Sequence, residues 1–208
     1  MDLDIVGDRI PDGSSILEMG SVPLVLTTAL FKCKYEVTGC DIAPERYSST
    51  IEAVGLKVIQ CDIERERLPF EDNTFDAVVF NEIFEHLRIN PVFALDETLR
   101  VLTPEGTLML STPNLKSLAG IWNFLFRGKA YSCSGDIYEE YRKLEKFGHM
   151  GHYREYTTTE MIDCLEKVGF LLTEVIYRGR FRAKVAQIAI RTIPTLSPFV
   201  SYIARKPA

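Results

Sequence analysis

The alternation of short apolar runs with segments of helical length is the feature that most constrains this chain. Three such runs lie in its first third, and each ends at a small or acidic residue. The segments between them, Val22 to Lys32 and Pro44 to Val54, are long enough for helices. A repeated order of strand, helix and strand predicts a parallel sheet joined by right-handed crossovers. The three runs are SILEMG (15–20), YEVTGCD (35–41) and LKVIQCD (56–62).

The same alternation continues to the end of the chain, with one interruption. A fourth strand is predicted in TFDAVVF, followed by a helix over 91–102 and a fifth strand in GTLMLSTP. After the interruption, TTTEMIDCLEKVGF has helical spacing, with Thr158 or Thr159 as the expected N-cap and Gly169 as the terminator. LLTEVIYR, AKVAQIAIRTI and FVSYIARK then indicate a sixth strand, a helix and a last strand.

The interruption covers about residues 115–155 and is rich in aromatic and charged residues. A connection of this length inside a compact domain usually has a function or helices of its own. We therefore predict an inserted lid that shapes an acceptor pocket, within a single domain spanning residues 1–208. In LAGIWNFLFRG, an apolar patch contains Trp122, Phe124, Leu125 and Phe126. Packing within the lid is the default interpretation of this patch, and contact with an apolar acceptor or a membrane surface is the alternative.

Charge and cysteine content argue against several classes of protein. The formal net charge of −5 disfavours a nucleic-acid binder, which needs a clustered basic surface. Residues 178–208 differ, because they contain seven Lys or Arg and no acid, which predicts contact with an anionic partner such as a membrane surface. Five cysteines without a CxxC pair favour a reducing, cytoplasmic compartment. The sequence shows neither a signal-peptide pattern nor an apolar run of spanning length.

Acidic residues stand at the predicted carboxyl ends of neighbouring strands, where open parallel sheets bind ligands. Asp41 follows Gly20 by 21 residues, the spacing at which an acid accepts hydrogen bonds from both ribose hydroxyls. Asp62 ends the third apolar run. Val22 and Leu24 stand where a dinucleotide-binding loop has its later glycines, and a bulky pyrophosphate must press against that loop. The pattern therefore favours a ligand that contains adenosine but no phosphate.

Two blocks of sequence resemble a known family. LPFEDNTFDAVVFNEIFEHL (68–87) and LDETLRVLTPEGTLMLSTPN (95–114) closely resemble class I S-adenosylmethionine-dependent methyltransferases, in particular their small-molecule branch. The usual sequence motifs of that family are LPF-x-D-x-x-FD, then EHL, then E-x-x-RVL-x-PGG. The resemblance covers nearly the whole chain and implies a Rossmann-like, doubly wound α/β fold with helices on both faces of a seven-stranded sheet. The sheet would be mostly parallel with the last strand antiparallel, and the cofactor would be S-adenosylmethionine.

The resemblance also implies eight cofactor-binding residues, all at or just after predicted strand ends. Glu18 and Gly20 would contact the methionyl group and form the loop, and Asp41 would bind the ribose. Ile42 would pack on the adenine ring, and Asp62 with the backbone of Ile63 would contact its amino edge. Asn81 and Glu82 would line the methionine end.

Two departures from the family pattern leave a second interpretation open. Glu105 replaces the first glycine of the PGG turn, and Val22 and Leu24 replace the later glycines of the first loop. The alternative is therefore a methyltransferase-like binding or scaffold module that does not catalyse. Retention of Asp41 and Asp62 favours a working site.

Three residues are candidates for catalysis. Methyl transfer from a sulfonium needs alignment and exclusion of water, and it needs a base only when the acceptor holds its proton. His86, in EHL, contacts the acceptor or orders the turn after the fourth strand, while His152 is the better candidate base and Tyr156 a hydroxyl of the acceptor pocket. His149 and His152 alone are a poor zinc site, so no metal is expected. We therefore predict methyl transfer to oxygen or nitrogen of a small-molecule or lipid-like acceptor.

Overall fold

A computed structural model describes residues 3–147 and 151–208 of the chain. Within these residues, seven strands form one sheet. Apolar, β-branched and aromatic side chains dominate these strands, as expected for strands covered on both faces. The strands are β1 Ser15–Met19, β2 Glu36–Asp41, β3 Lys57–Gln60, β4 Phe75–Asn81, β5 Leu102–Pro113, β6 Leu171–Arg178 and β7 Phe199–Arg205.

The strand order is β3-β2-β1-β4-β5-β7-β6. β7 lies between β5 and β6 and runs antiparallel to both, whereas the other neighbouring pairs are parallel. The chain moves outward from β1 to β3 and then returns to the other side of β1 with β4, so the direction of winding reverses between β1 and β4. The predicted doubly wound sheet with an antiparallel last strand is confirmed.

Helices cover both faces of the sheet. On one face Leu26 and Leu30 join a buried cluster with Val6, and on the other Leu95 and Leu165 join a second buried cluster. No helix in the described part of the chain has the length and apolar character needed to cross a membrane. The helices among these residues are α1 Leu3–Gly7, α2 Val25–Lys32, α3 Ser48–Val54, α4 Pro91–Val101, α5 Leu118–Arg127, α6 Ile137–Phe147, α7 Thr158–Val168 and α8 Lys184–Thr192.

The start of α7 differs from the sequence prediction by one residue. Thr157 is the N-cap: its side chain accepts a hydrogen bond from the N–H of Glu160, and the Glu160 carboxylate accepts from the N–H of Thr157 (2.8 Å). The prediction of Thr158 or Thr159 was wrong, because the threonine placed three residues before the glutamate completes a capping box. The predicted end of the helix at Gly169 agrees with its left-handed φ of 115°.

Glu105, which replaces the glycine of the family pattern, lies within β5, at an irregular turn of the strand where its pairing with β4 shifts register between Leu102 and Thr107. Glu105 has a φ of 63°, a left-handed conformation. A residue with a Cβ adopts this conformation at a cost of roughly 1 to 2 kcal/mol. Its N–H donates to the carbonyl of Lys206 (3.2 Å), which holds the turn against the end of the chain. The departure is therefore accommodated as local strain.

Residues 115–155 contain α5 and α6. The aromatic patch of α5 is exposed, with 56% of Trp122, 64% of Phe124 and 68% of Phe126 accessible to solvent. The interpretation of this patch as packing within the lid was therefore wrong, because its side chains face outward. The rings of Trp122 and Phe126 contact one another, with centroids 4.3 Å apart.

The capping box yields a prediction about stability. Replacement of Thr157 by Ala removes the acceptor for the Glu160 N–H, and we expect the free energy of unfolding to fall by about 1 kcal/mol. Thr159→Ala, at an exposed position in the first turn of α7, should change it much less. Urea denaturation followed by circular dichroism measures both variants. Equal losses in the two would show that the cap is not the source of the stability.

Candidate active site

A cavity of about 470 Å³ opens at the carboxyl ends of β1, β2 and β4. This volume lies in the range of small-molecule sites, and its position is the point where the winding reverses. The structure brings all eight predicted cofactor residues together around this cavity. They are Glu18, Gly20, Asp41, Ile42, Asp62, Ile63, Asn81 and Glu82.

Gly20 is required at the floor of the cavity. Its φ is 65°, and a Cβ at this position would lie 2.3 Å from Cδ1 of Ile83. Any larger residue would therefore adopt a strained backbone and push Ile83 away.

The side chains that replace the later glycines do not close the cavity. Leu24 is 1% exposed and belongs to the core, while Val22 lies on the cavity wall. The loop amides are already bonded within the protein: Gly20 and Ser21 both donate to the carbonyl of Cys40, and Val22 donates to Oδ2 of Asp41 (3.0 Å). A phosphate needs such amides to be available, so this loop suits a ligand without phosphates.

The two strand-end aspartates are held in place by the turns that follow them. Oδ1 of Asp41 accepts from the N–H of Ala43 (2.9 Å) and lies 3.6 Å from the guanidinium of Arg46. Oδ1 of Asp62 accepts from the N–H of Glu64 (3.1 Å). Each carboxylate oxygen can accept more than one hydrogen bond. Both aspartates therefore keep acceptor capacity in a fixed orientation.

Glu18 is a buried carboxyl group on the cavity wall. It is 3% exposed, and its Oε2 accepts a hydrogen bond from Oγ1 of Thr27 (2.6 Å). Burial raises the pKa of Glu18 to about 7, because the charged form is poorly solvated there. A cationic group in the cavity would favour the ionised form. The methionine end of S-adenosylmethionine carries such groups.

Sequence reasoning missed a polar triad beside the cavity. Glu82, just after β4, lies 3.2 Å from the guanidinium of Arg178 at the end of β6, and Ser111 of β5 bonds to both. Glu82 has a φ of 57°, an uncommon backbone conformation that clusters at functional sites. Arg178 was counted with the basic residues 178–208, yet only 13% of its side chain is exposed, because it pairs with Glu82 inside the protein.

The rings of two predicted catalytic histidines contact each other, but only one of them, His86, is among the residues that line the cavity. His86 lines the cavity, and its ring centroid lies 4.8 Å from that of His152. Nδ1 of His86 lies 2.9 Å from the carbonyl oxygen of Gly151. Burial alone lowers the pKa of His152, but the carboxylates of Glu155, Glu85 and Glu140 raise it by more.

Other predicted residues lie elsewhere. Tyr156 is not among the described residues that line the cavity; its ring packs against Phe84, with centroids 5.3 Å apart, and under the guanidinium of Arg154. Its role as an acceptor-pocket hydroxyl stays a prediction. His149 lies outside the described residues.

The geometry agrees with what comparison with known proteins finds. Residues 17–110 match the family described as a methyltransferase domain. Ubiquinone biosynthesis O-methyltransferase of Xylella fastidiosa is 29% identical over 121 residues, 54% of this chain and 47% of that protein. An S-adenosylmethionine-dependent methyltransferase from Mesorhizobium loti has a TM-score of 0.68 at 17% identity, covering 97% of this chain and 96% of that one.

A further solved structure contains ligands. It is the 1,6-didemethyltoxoflavin-N1-methyltransferase of Burkholderia thailandensis with 1,6-didemethyltoxoflavin and S-adenosylhomocysteine bound. Its TM-score is 0.65 at 15% identity, covering 99% of this chain and 76% of that one. At such identity the likeness shows the fold.

Residues 17–110 of the chain are similar to methyltransferase domains, and the fold is the one seen in S-adenosylmethionine-dependent methyltransferases. The predicted family, enzyme class and cofactor are confirmed at the level of the domain by the family match and the fold. The chain spans about half the length of the ubiquinone biosynthesis methyltransferase that it matches.

The pKa of Glu18 yields a prediction about cofactor binding. Because a cationic ligand favours ionised Glu18, and the free protein ionises this group only above a pH of about 7, affinity should rise between pH 6 and pH 8. We expect an increase of up to about tenfold by calorimetry with S-adenosylmethionine. Glu18→Gln should bind weakly and lose this dependence, whereas Glu52→Gln, at an exposed position of α3, should keep it. The same slope in Glu18→Gln would assign the effect to another group.

Proposed function

We propose that this chain transfers a methyl group from S-adenosylmethionine to oxygen or nitrogen of a small-molecule or lipid-like acceptor. The observation that carries the proposal is the cavity at the winding reversal, which is lined by the eight predicted cofactor residues and by His86, whose ring contacts that of His152. A single domain with residues 115–155 as an acceptor-side lid is part of this proposal.

The two ends of the cavity suit the two ends of the cofactor. Asp41 and Asp62 offer oriented carboxylates for ribose hydroxyls and the adenine amino edge. Ile42 is 43% exposed and lines the cavity, which gives an apolar surface for the adenine ring. Glu18 and Glu82 place carboxylates where the cationic methionine end would lie.

The chemistry requires little from the protein beyond alignment and a proton acceptor. The methyl group moves by in-line displacement, so the acceptor atom must face it across a cavity that excludes water. A carbonyl oxygen only accepts hydrogen bonds, so the contact with Gly151 assigns the proton of neutral His86 to Nδ1. An imidazole beside the acceptor can take the acceptor's proton directly or hold a cation that lowers the acceptor's pKa.

The acceptor class is supported by relatives and by the surface. The proteins matched include an O-methyltransferase of ubiquinone biosynthesis and an N1-methyltransferase of a small heterocycle. Both α5 and α8 follow strands whose carboxyl ends lie at the same edge of the sheet, β5 and β6. Exposed apolar residues of α8, Val185 and Ile188, add to the aromatic patch of α5. This combination favours an acceptor at an anionic membrane surface.

Cofactor binding distinguishes the enzyme from the scaffold alternative. Calorimetry with S-adenosylmethionine and thermal shift with S-adenosylhomocysteine should both give a signal. Asp41→Ala should weaken binding by about 1 to 3 kcal/mol through loss of a buried acceptor, while Glu45→Ala, at an exposed neighbouring position, should not. Absence of heat and of a thermal shift in the folded wild type would favour the scaffold.

Membrane contact is tested by co-sedimentation with vesicles. The protein should sediment with vesicles of phosphatidylcholine and phosphatidylglycerol, and less as salt increases, because the charge attraction is screened. Phe124→Ser with Phe126→Ser should abolish most of this binding. Phe31→Ser, at a 41% exposed position of α2, is the matched control. Equal binding by the double variant would exclude α5 as the contact.

A further inference from the structure

A carboxylate and two imidazoles come together behind His86, which lines the cavity. One ligand atom each of Glu85, His86 and His152 lies within 4.8 Å of the other two. Two ligands of one tetrahedral zinc ion lie about 3.4 Å apart, because each is about 2.1 Å from the metal. Small rotations of these side chains therefore bring the three atoms to coordinating distance.

We infer that Glu85, His86 and His152 bind a divalent transition-metal cation of the zinc type, and that this cation faces the acceptor. The sequence expectation of no metal rested on the absence of a carboxylate near the histidines in sequence. In the fold, the segment after β4 provides both Glu85 and His86 to His152. The backbone fastens these segments together, since the carbonyl of Glu85 accepts from the N–H of Tyr153 (2.8 Å).

Glu85 provides an independent indication of a missing cation. It is 1% exposed, and its Oε2 accepts from Oγ1 of Thr112 (3.2 Å). Within residues 3–147 and 151–208, its Oε1 is buried without a hydrogen-bond partner. A buried carboxylate oxygen without a partner is costly, and coordination to a cation removes that cost.

Each of the two imidazoles has an oxygen atom close to one of its ring nitrogens, as metal-binding histidines usually do. Nδ1 of His86 donates to the carbonyl of Gly151 (2.9 Å). Nδ1 of His152 lies 3.6 Å from Oε1 of Glu155. A carbonyl or carboxylate behind the ring fixes its orientation and increases the basicity of the other nitrogen.

A second group of potential ligands lies on the other side of His152. Cys133, His152 and Glu155 also have ligand atoms within 4.8 Å of one another. The oxygens of Glu155 already accept hydrogen bonds from the N–H groups of Cys133 (3.2 Å) and Ser134 (2.9 Å) and from Ser132. Glu155 is therefore satisfied by the protein, and its role is to orient His152 from behind.

The ligand set selects the class of cation and its use. Two imidazoles and one carboxylate favour zinc and its transition-metal neighbours over magnesium or calcium, which prefer oxygen. Three protein ligands leave a coordination position open, and His86 lines the cavity. Resting on the proposed function, an acceptor oxygen bound there would have a lowered pKa and would lose its proton more readily.

The direct test measures metal binding without the reaction. Tag-free protein is stripped with a chelator, dialysed and titrated with Zn²⁺ by calorimetry, and with Co²⁺ by visible absorption. We expect one equivalent of zinc and cobalt bands of a site with nitrogen and oxygen ligands. Glu85→Gln and His152→Ala should weaken zinc binding by at least about tenfold. Cys133→Ser, on the far side of His152, should bind like the wild type.

Two results would overturn the inference. One is no stoichiometric zinc and no cobalt spectrum in the folded wild type. The other is loss of binding in Cys133→Ser with full binding in Glu85→Gln, which would place the ion at the second group. Thermal shift with S-adenosylhomocysteine in each variant confirms that the cofactor half is folded. It also separates the two proposals, because zinc binding without a cofactor signal would refute the proposed function alone.

Discussion

The position of β1 between β2 and β4 is the constraint on which the site depends. Met19 pairs with Cys40 on one side and Phe80 on the other, so three carboxyl ends meet at one edge. The helix after β1 packs on one face of the sheet through Leu26, while the helix after β4 packs on the opposite face through Leu95. The connections diverge and leave a crevice between them, as open α/β sheets do at a reversal of winding. Every residue assigned to the cofactor stands on the rim of that crevice.

The loop after β1 shows how the ligand's chemistry relaxes a sequence rule. Three successive amides, from Gly20 to Val22, are bonded to Cys40 and Asp41. A loop in this state offers little to a pyrophosphate, and consequently it does not need the glycines that let a pyrophosphate approach. The one position that still requires glycine, Gly20, does so because of Ile83 and a left-handed φ. The same residues that resembled a degraded motif are thus compatible with an intact crevice.

Local patterns predicted the strands and the acidic residues at their ends, because hydrophobic periodicity fixes both. The capping threonine was displaced by one position because three successive threonines satisfy the same pattern. Arg178 could be counted as a basic residue, but its pairing with Glu82 joins residues 96 apart in sequence. The cluster of Glu85, His86 and His152 could not be predicted for the same reason. A glutamate followed by a histidine usually indicates a solvated turn, and only the fold shows that the segment containing His152 packs against it. The exposure of the α5 aromatic residues could not be predicted either, because helical spacing does not show which face of a helix is covered by the rest of the protein.

The residues proposed for cofactor binding and those proposed for the acceptor side come from different parts of the chain. The residues proposed to bind the cofactor lie between Glu18 and Glu82, whereas α5, α6 and His152 come after β5. Two backbone hydrogen bonds to the Glu85 carbonyl join the later segment to the earlier one. A lineage that kept the first part and the anchoring carbonyl could exchange the region between Pro113 and Tyr153 without disturbing the sheet. This architecture could then acquire a different acceptor pocket by replacement of that one region, with the half proposed to bind the nucleoside unchanged.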